Sequence, residues 1–456
     1  MIALNYPKKR SSPSNFVIEK SRLIKISGLA LPMIAAALST NLMTFVDTLM
    51  VSQLGEAALG GVGIGGQLFF LLLALALGLT ASVQAMIARR VGEQRLDLTG
   101  RVLNAGLLLA ILAGLILLTV GYLTIPVAVR LISDSPLVAE QVVTYLSMRL
   151  PSLLLMSLTL TFRSYWVGVN LAKWSMVSIV ALSLANILFN YFLIFGNFGA
   201  PQMGVAGAGL GSTLAVLVGL FVNLGFALKL ASKNGFLRGL PPKKDIRNIL
   251  KVAAPESLRQ MLFSLGVVAL YLLIGQIGTK ELAAFHVVIS ICLIAYIPHI
   301  GISGAATTLV GEALGRINAE DAKTWGWQVS NLGLVVLTLF GLVIAFFPRP
   351  LLDLFFVDQG TVAITVIPLQ LAVFAHVLDG YSKVLAGALV GAGATRIAMQ
   401  LTLFPQYLIL LPILAISVFV GFGLSVAMTI FLGASAITAM LFASAWHREK
   451  WNGIKL

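Results

Sequence analysis

The chain has 456 residues, of which 59% are hydrophobic and only 11% are charged. Soluble globular proteins carry about 25% charged residues, so a water-soluble fold could not cover this much apolar surface. Apolar runs of about 20 residues, the length that crosses hydrocarbon as a helix, recur along the whole sequence with no soluble domain between them. The composition therefore predicts an all-α integral membrane protein.

Twelve transmembrane helices are predicted, in chain order at residues 24–52, 59–88, 102–129, 143–169, 175–196, 204–230, 248–276, 282–311, 326–347, 362–391, 400–420 and 422–446. The residues before the first span are polar and basic, and the apolar stretch that follows is too long for the core of a cleaved signal peptide. We therefore interpret residues 1–23 as a cytoplasmic tail.

Lys and Arg outnumber Asp and Glu by 31 to 17, but the excess lies mainly in the segments that join spans 2 to 3 and 6 to 7. Basic loops of this kind mark the cytoplasmic side. The pattern predicts an inner-membrane protein with both termini in the cytoplasm, and it argues against a nucleic-acid partner. Cys292 is the only cysteine, which excludes an intramolecular disulfide and a metal site built from clustered cysteines.

The two halves of the sequence repeat one another. At one constant offset, Pro32 aligns with Pro255, and the same offset aligns further pairs without a gap: Gly55 with Gly278, Gly92 with Gly315, and Gly168 with Gly391. The repeat predicts two pseudo-symmetric six-helix bundles with a central cleft between them. We place the bundles at residues 24–232 and 248–447, with a basic linker at 233–247 and a C-terminal tail at 448–456.

Several segments carry a resemblance to a known family: "LALPMIAAALSTNLMTFVDTLMVSQLG" in span 1, "FRSYWVGVNLAKWSMV" and "LANILFNYFLIFGNFGAPQMGVAGAGLG" in spans 4 to 6, and "ELAAFHVV" opening span 8. By their order, spacing and twofold recurrence they resemble the multidrug and toxic compound extrusion (MATE) family, in particular its NorM-like bacterial members. The resemblance implies export of drugs and other small organic cations in exchange for protons or sodium. We expect a monomer in the lipid bilayer, with no cofactor beyond its coupling ion.

Span 1 carries the carboxylate that we predict to couple transport to an ion. Helical spacing places four polar side chains on one face of this apolar helix: Asn41, Thr44, Asp47 and Thr48. An ionisable group inside a span is costly unless it is paired or wet, so Asp47 is a functional candidate and its face is expected to line a cavity. A hydrogen bond that only joins span 1 to its neighbours is the alternative.

Pro32 lies in the same span and removes a backbone hydrogen bond, which permits a kink. We predict a hinge whose bend changes when Asp47 is protonated; a static kink is the alternative. Amide and hydroxyl groups of spans 5 and 6 complete the predicted site, namely Ser183, Asn186, Asn190 and Ser212, and they can ligate a cation or hold a protonated carboxyl. The resemblance places the family's first-half cation site at Asp47, Asn186 and Asn190.

In the second half, Asp379 shares a face of span 10 with His376 and Lys383. Its spacing to later glycines matches the acid of the family's second-half cation site. Lys383, one turn along, can form an ion pair with Asp379, and Phe263 stands where the family carries a sodium-binding glutamate. These departures favour proton over sodium coupling. His286 could relay a proton, although a packed histidine is the favoured interpretation.

Sequence motifs for catalysis are missing. There is no Walker sequence, no Ser, His and Asp arrangement and no metal-binding motif, so an enzyme is not expected. The predicted function is proton-coupled multidrug antiport by alternating access. A sodium-coupled antiporter, a flippase for lipid-linked saccharides and a membrane-embedded lipid-modifying enzyme remain alternatives. The small number of basic residues inside the spans argues against the flippase.

Overall fold

The structure, a computed structural model, describes residues 18–132, 135–356 and 358–454, and within these ranges every regular element is helical. The first half contains α1 (Lys20–Ser52), α2 (Glu56–Gly92), α3 (Thr99–Ile132), α4 (Pro136–Arg149), α5 (Ser152–Gly168), α6 (Ala172–Phe195) and α7 (Val205–Phe226). The second half contains α8 (Lys243–Gly275), α9 (Thr279–Gly315), α10 (Ala319–Phe346), α11 (Pro348–Leu352), α12 (Gln359–Gly391), α13 (Thr395–Pro405), α14 (Leu411–Phe419) and α15 (Leu424–His447).

Eleven spans of the described chain are long and apolar enough to cross a membrane, and α4 with α5 forms a twelfth. The twelve predicted spans are therefore confirmed, with ends within about two helical turns of those predicted. The α4–α5 span is bent by 51°. Pro151 lies at this break, where its missing N–H and its ring interrupt the helical hydrogen bonds.

Two other prolines leave their span continuous. Pro32 lies inside α1, which remains one helix from end to end. After Pro405 the helix widens into a π-helical stretch, Gln406–Leu410, before α14 begins. A conformational role for Pro32 stays a prediction.

Equivalent glycines of the two halves meet at the interface between them. A Cβ on Gly92 would collide with the carbonyl oxygen of Glu312, and a Cβ on Gly315 would collide with that of Arg89. Each glycine also approaches the Cα of the other. Because the repeat that aligns Gly92 with Gly315 also aligns Arg89 with Glu312, these contacts exchange under a pseudo-twofold axis.

The pseudo-twofold axis also relates the contacts that helices of one half make with helices of the other. A Cβ on Gly301 of α9 would collide with the Ala30 carbonyl of α1, and a Cβ on Gly78 of α2 would collide with Ser257 of α8. Ser257 Oγ also donates a hydrogen bond to the carbonyl of Leu75, at 2.6 Å. Helices α1 and α2 therefore pack on α9 and α8, respectively, as well as on their own bundle.

These crossing contacts lie on the side of the membrane that holds both ends of the described chain. Ile18 and Ile454 pack against the same apolar cluster, and Arg89 donates a hydrogen bond to the Ile454 carbonyl at 2.8 Å. We call this side the terminal face. The two halves are in close backbone contact there, so the interface is closed at the terminal face.

The closed interface leads to a prediction about stability. Gly92→Ala is expected to lower the free energy of unfolding by about 1–3 kcal/mol, because the new Cβ overpacks the backbone of the opposite half. Gly433→Ala is the matched control, since a Cβ there meets no atom within 4 Å. Thermal unfolding of both variants in detergent checks this. Equal unfolding temperatures would show that the interface can relax around the methyl group.

Candidate functional site

Asp47 of α1 meets three polar side chains from two other helices, α6 and α7. Asn190 of α6 donates a hydrogen bond from Nδ2 to Asp47 Oδ1 at 2.8 Å. Asn186 lies one turn away on the same helix, and Ser212 of α7 contacts its amide. Both asparagines are 1% exposed, whereas Asp47 is only partly buried. The structure thus brings together Asp47, both asparagines and Ser212 of the predicted site, whereas the predicted Ser183 hydroxyl forms no hydrogen bond with them.

The Asn186 amide can serve either protonation state of Asp47. With Nδ2 turned toward Asp47, it donates to the two carboxylate oxygens at 2.7 and 3.0 Å, and its Oδ1 accepts from Ser212 Oγ at 3.0 Å. With the amide turned over, Nδ2 donates to Ser212 Oγ at 3.0 Å and Oδ1 faces the carboxyl group. Only a protonated carboxyl can donate to that oxygen. The first orientation therefore satisfies the ionised acid, and the second would require Asp47 to carry a proton.

Two more oxygens of α6 are buried next to this cluster along the helix. Ser183 Oγ and Asn190 Oδ1 have no hydrogen-bond partner within the described part of the chain. Carboxylate, amide and hydroxyl oxygens also suit a sodium ion, so the donor set alone does not separate sodium from a proton.

The other polar side chains of the predicted stripe do not join the cluster. Asn41, Thr44 and Thr48 are exposed, and each donates a hydrogen bond to a carbonyl one turn back in α1, at 2.9 to 3.0 Å. These bonds satisfy the donors locally. The stripe leaves one side of α1 polar and accessible next to Asp47.

In the second half, Asp379 of α12 is paired with a tyrosine. Tyr296 of α9 donates a hydrogen bond from its hydroxyl to Asp379 Oδ2 at 2.7 Å, and its ring stands 5.7 Å from that of His376. The expected ion pair between Asp379 and Lys383 is not among those of the described residues. The Lys383 ammonium lies instead 3.5 Å from the ring centre of Phe263. A cation over an aromatic face is itself a favourable contact, and the long lysine side chain can reach it.

A cavity of about 200 Å³ opens beside Asp379 within the second bundle. Its walls include five aromatic rings: Phe263, Tyr271, Phe285, Tyr296 and Phe431. Gln406, at the start of the π-helical stretch, is also part of the wall and donates from Nε2 to the Phe263 carbonyl at 3.1 Å. The second half therefore combines one carboxylate with a mainly aromatic and apolar enclosure.

The packed position expected for His286 is wrong. The side chain is exposed, and its nearest ring neighbour is Tyr271, with the ring centres 6.4 Å apart. Phe285 and Val288 of the same helix are buried, so α9 turns them inward and His286 outward. A relay role for His286 stays a prediction.

Arg149 was missed by the sequence reasoning although it lies inside a predicted span. Its guanidinium carbon is 4.6 Å from the ring centre of Phe69, and it interacts electrostatically with Asp47. The rule that marks Asp47, that an ionisable residue inside a span is costly, applies equally to Arg149 and could have found it. The contact of Tyr296 with Asp379 has no comparable signal in the sequence.

Comparison with known proteins agrees with this architecture. The MatE family model matches residues 32–192 and 255–410. A probable multidrug resistance protein NorM from Mesorhizobium japonicum is 28% identical over 440 residues, covering 92% of each chain. Its counterpart from Thermotoga maritima is 27% identical and covers 90% of this chain and 87% of its own.

Solved structures share the fold. The Vibrio cholerae MATE transporter VcmN in the bent form superposes with a TM-score of 0.85 at 17% identity, covering 93% of this chain and 96% of that chain. A MATE protein in the straight conformation gives 0.84 at 22% identity, with coverage of 93% and 95%. Since the family match extends over most of both repeated halves, the chain belongs to the MatE family, as a NorM-like membrane transporter and not an enzyme.

Proposed function

We propose that this transporter exports amphiphilic organic cations in exchange for protons, with Asp47 as the coupling residue. The observation that carries the proposal is the buried polar cluster around Asp47, in which Asn190 donates to the carboxylate at 2.8 Å and the Asn186 amide lies against both carboxylate oxygens. A coupling acid must be stable both with and without its proton, and this cluster supplies partners for each state. The relatives named for multidrug resistance support the substrate class.

The second half supports proton over sodium coupling. The position where the family carries a sodium-binding glutamate holds Phe263, and the Lys383 ammonium already lies on its ring. A tethered cation next to Asp379 opposes the entry of a free one, because like charges repel strongly where water is scarce. The exchange of one proton at Asp47 for one substrate cation needs no ion in the second half.

The buried bases argue against a flippase for lipid-linked saccharides, whose phosphate groups would need a cationic cavity. Arg259 forms a buried ion pair with Glu256, and Lys383 lies on the same helix as Asp379, one turn away. In the second half, the charges of Arg259 and Lys383 are therefore accompanied by charge of the opposite sign.

The location and the conformational state follow from the basic segments. Residues 89–101 and 229–251, which are rich in Lys and Arg, connect spans at the terminal face. By the positive-inside rule this face is cytoplasmic, which puts both termini in the cytoplasm of an inner-membrane protein. The closed interface then lies on the cytoplasmic side, as in a transporter whose site is reached from outside.

Reconstitution into liposomes tests the proposal. A difference of about two pH units supplies about 2.7 kcal/mol per proton. If one proton is exchanged for one monovalent cation, no net charge moves, and this energy can hold about a 100-fold concentration gradient of the cation. We expect the imposed pH gradient to drive ethidium against its concentration, nigericin to abolish this, and a sodium gradient to drive nothing. Transport driven by sodium alone would contradict proton coupling, and no transport under either gradient would contradict drug efflux.

A further inference from the structure

Arg149 is a positive charge inside the membrane-spanning part of the first bundle. It is the last residue of α4, directly before the break at Pro151. Its guanidinium carbon lies 4.6 Å from the Phe69 ring centre, while its Nε is buried and has no partner within the described chain. Among the ion pairs of the described residues, none joins Arg149 to a carboxylate. Arg149 is only partly buried, and because arginine stays protonated in proteins it adds a permanent positive charge to this part of the bundle.

Helix α7 fixes Arg149 beside the Asp47 cluster. Thr213 Oγ1 donates a hydrogen bond to the Met148 carbonyl at 2.8 Å. A Cβ on Gly209, one turn earlier, would lie 3.4 Å from the Arg149 backbone nitrogen. Ser212, the residue before Thr213, contacts the Asn186 amide. One turn of α7 is therefore bound to the end of α4 and to the coupling cluster at the same time.

Among the described residues, the charge that acts on Asp47 comes from Arg149 of α4. Arg149 interacts electrostatically with Asp47, and Tyr145, one turn earlier on α4, interacts with both. Helices α6 and α7 contribute only neutral groups to the cluster, namely the two asparagine amides and the Ser212 hydroxyl. The net charge of this site is therefore zero when Asp47 is ionised and positive when Asp47 is protonated.

We propose that Arg149 is a specificity-determining residue, the fixed positive charge that turns protonation of Asp47 into expulsion of a cationic substrate. The inference rests on the proposed function and deepens it. When Asp47 is ionised, the two fixed charges cancel and a monovalent organic cation is accepted. When a proton neutralises Asp47, Arg149 is uncompensated and repels the cation. Proton and cation thereby exclude each other, which antiport requires.

Binding measured without any gradient tests this role. Radiolabelled tetraphenylphosphonium carries one permanent charge, and triphenylphosphine oxide serves as a neutral probe of similar shape. We expect Arg149→Gln to bind the phosphonium about tenfold more tightly at pH 7.5, equal to about 1.4 kcal/mol. Binding of the neutral probe should stay unchanged, and Arg149→Lys should behave like the native chain. In transport, Arg149→Gln should lower both KM and kcat, because the cation is held instead of released.

A rescue experiment separates charge from structure. In a Cys292→Ala background, Arg149→Cys should bind the phosphonium tightly, and reaction with a methanethiosulfonate that adds an ammonium group should restore the native affinity. Arg163→Gln is the matched control, an arginine of α5 whose Nε donates to Ser175 Oγ at 3.4 Å. Equal shifts for both probes, or an unchanged phosphonium affinity in both the Gln and the Cys variant, would overturn the proposal. Failure of proton coupling itself would appear in the liposome assay, which these binding measurements do not use.

Discussion

Asp47→Asn is expected to abolish proton-driven efflux. A difference of two pH units can sustain an ethidium gradient of about 100-fold in the native chain. The variant should build no gradient, because asparagine cannot release a proton. The variant should still fold, since an amide at this position can accept from Asn190 and pair with Asn186 once the Asn186 amide is turned over. Ethidium transport in liposomes under an imposed pH gradient measures the effect. Binding of ethidium without a gradient should weaken and lose its dependence on pH, because a neutral amide at this position leaves the Arg149 charge uncompensated.

A carboxylate outside the spans provides the control for this substitution. Asp353→Asn removes an acid next to the short helix α11, where the residue is exposed. It should transport like the native chain. Native-like, proton-driven transport by Asp47→Asn would contradict our assignment and move the coupling role to Asp379, the carboxylate of the second bundle.

Most of the fold could be predicted because a bilayer leaves few options. Each span must bury about 20 apolar residues in a helix, so hydropathy alone located all twelve. The break between α4 and α5 has a local cause in Pro151, yet its angle depends on the helices that pack around it. The meeting of Gly92 with Gly315 follows from the internal repeat, since equivalent residues near a twofold axis approach each other.

The first-half site was predicted more fully than the second. Asn186 and Asn190 are four residues apart, so a helix places them on one face whatever surrounds it. The contacts of Lys383 depend instead on where α8 places the Phe263 ring, and no spacing within α12 contains that information. Arg149 and Asp47 lie on different helices, so their proximity could not be read from sequence spacing. Helical periodicity predicts which side chains lie on the same face of one helix. Which side chains of different helices come into contact depends on how those helices pack.

A buried acid near the end of α9, Glu312, connects the two halves at the terminal face. Its carboxylate accepts hydrogen bonds from Arg316 at 2.7 Å and from Asn170 of the first half at 3.3 Å. Arg316 also pairs with Asp321 at 2.9 Å, and Asp321 pairs with Arg22 of α1. The network thus runs from one half into the other and back. Opening the terminal face must break both crossings.

Glu312→Gln is therefore expected to favour the form that is open to the cytoplasm. Neutralising a buried, paired acid costs the closed form about 1–3 kcal/mol, which raises the open population about 5- to 150-fold. Ala88→Cys in a Cys292→Ala background reports opening, because Ala88 is 0% exposed against Gly311. An impermeant maleimide added to the cytoplasmic side of inverted vesicles should label this cysteine correspondingly faster.

A matched substitution distinguishes the loss of the ion-pair network between the halves from the effect of removing any one acidic charge. Glu449→Gln breaks an ion pair with Lys323 that joins the C-terminal segment to α10, inside the second half. That pair does not connect the two halves, so the labelling rate should stay at the native level. If Glu312→Gln labels no faster than Glu449→Gln, the glycine contacts between Gly92 and Gly315 hold the face closed by themselves. A faster rate only in Glu312→Gln assigns the closure to the charged crossing, because the packed glycines are the same in both variants.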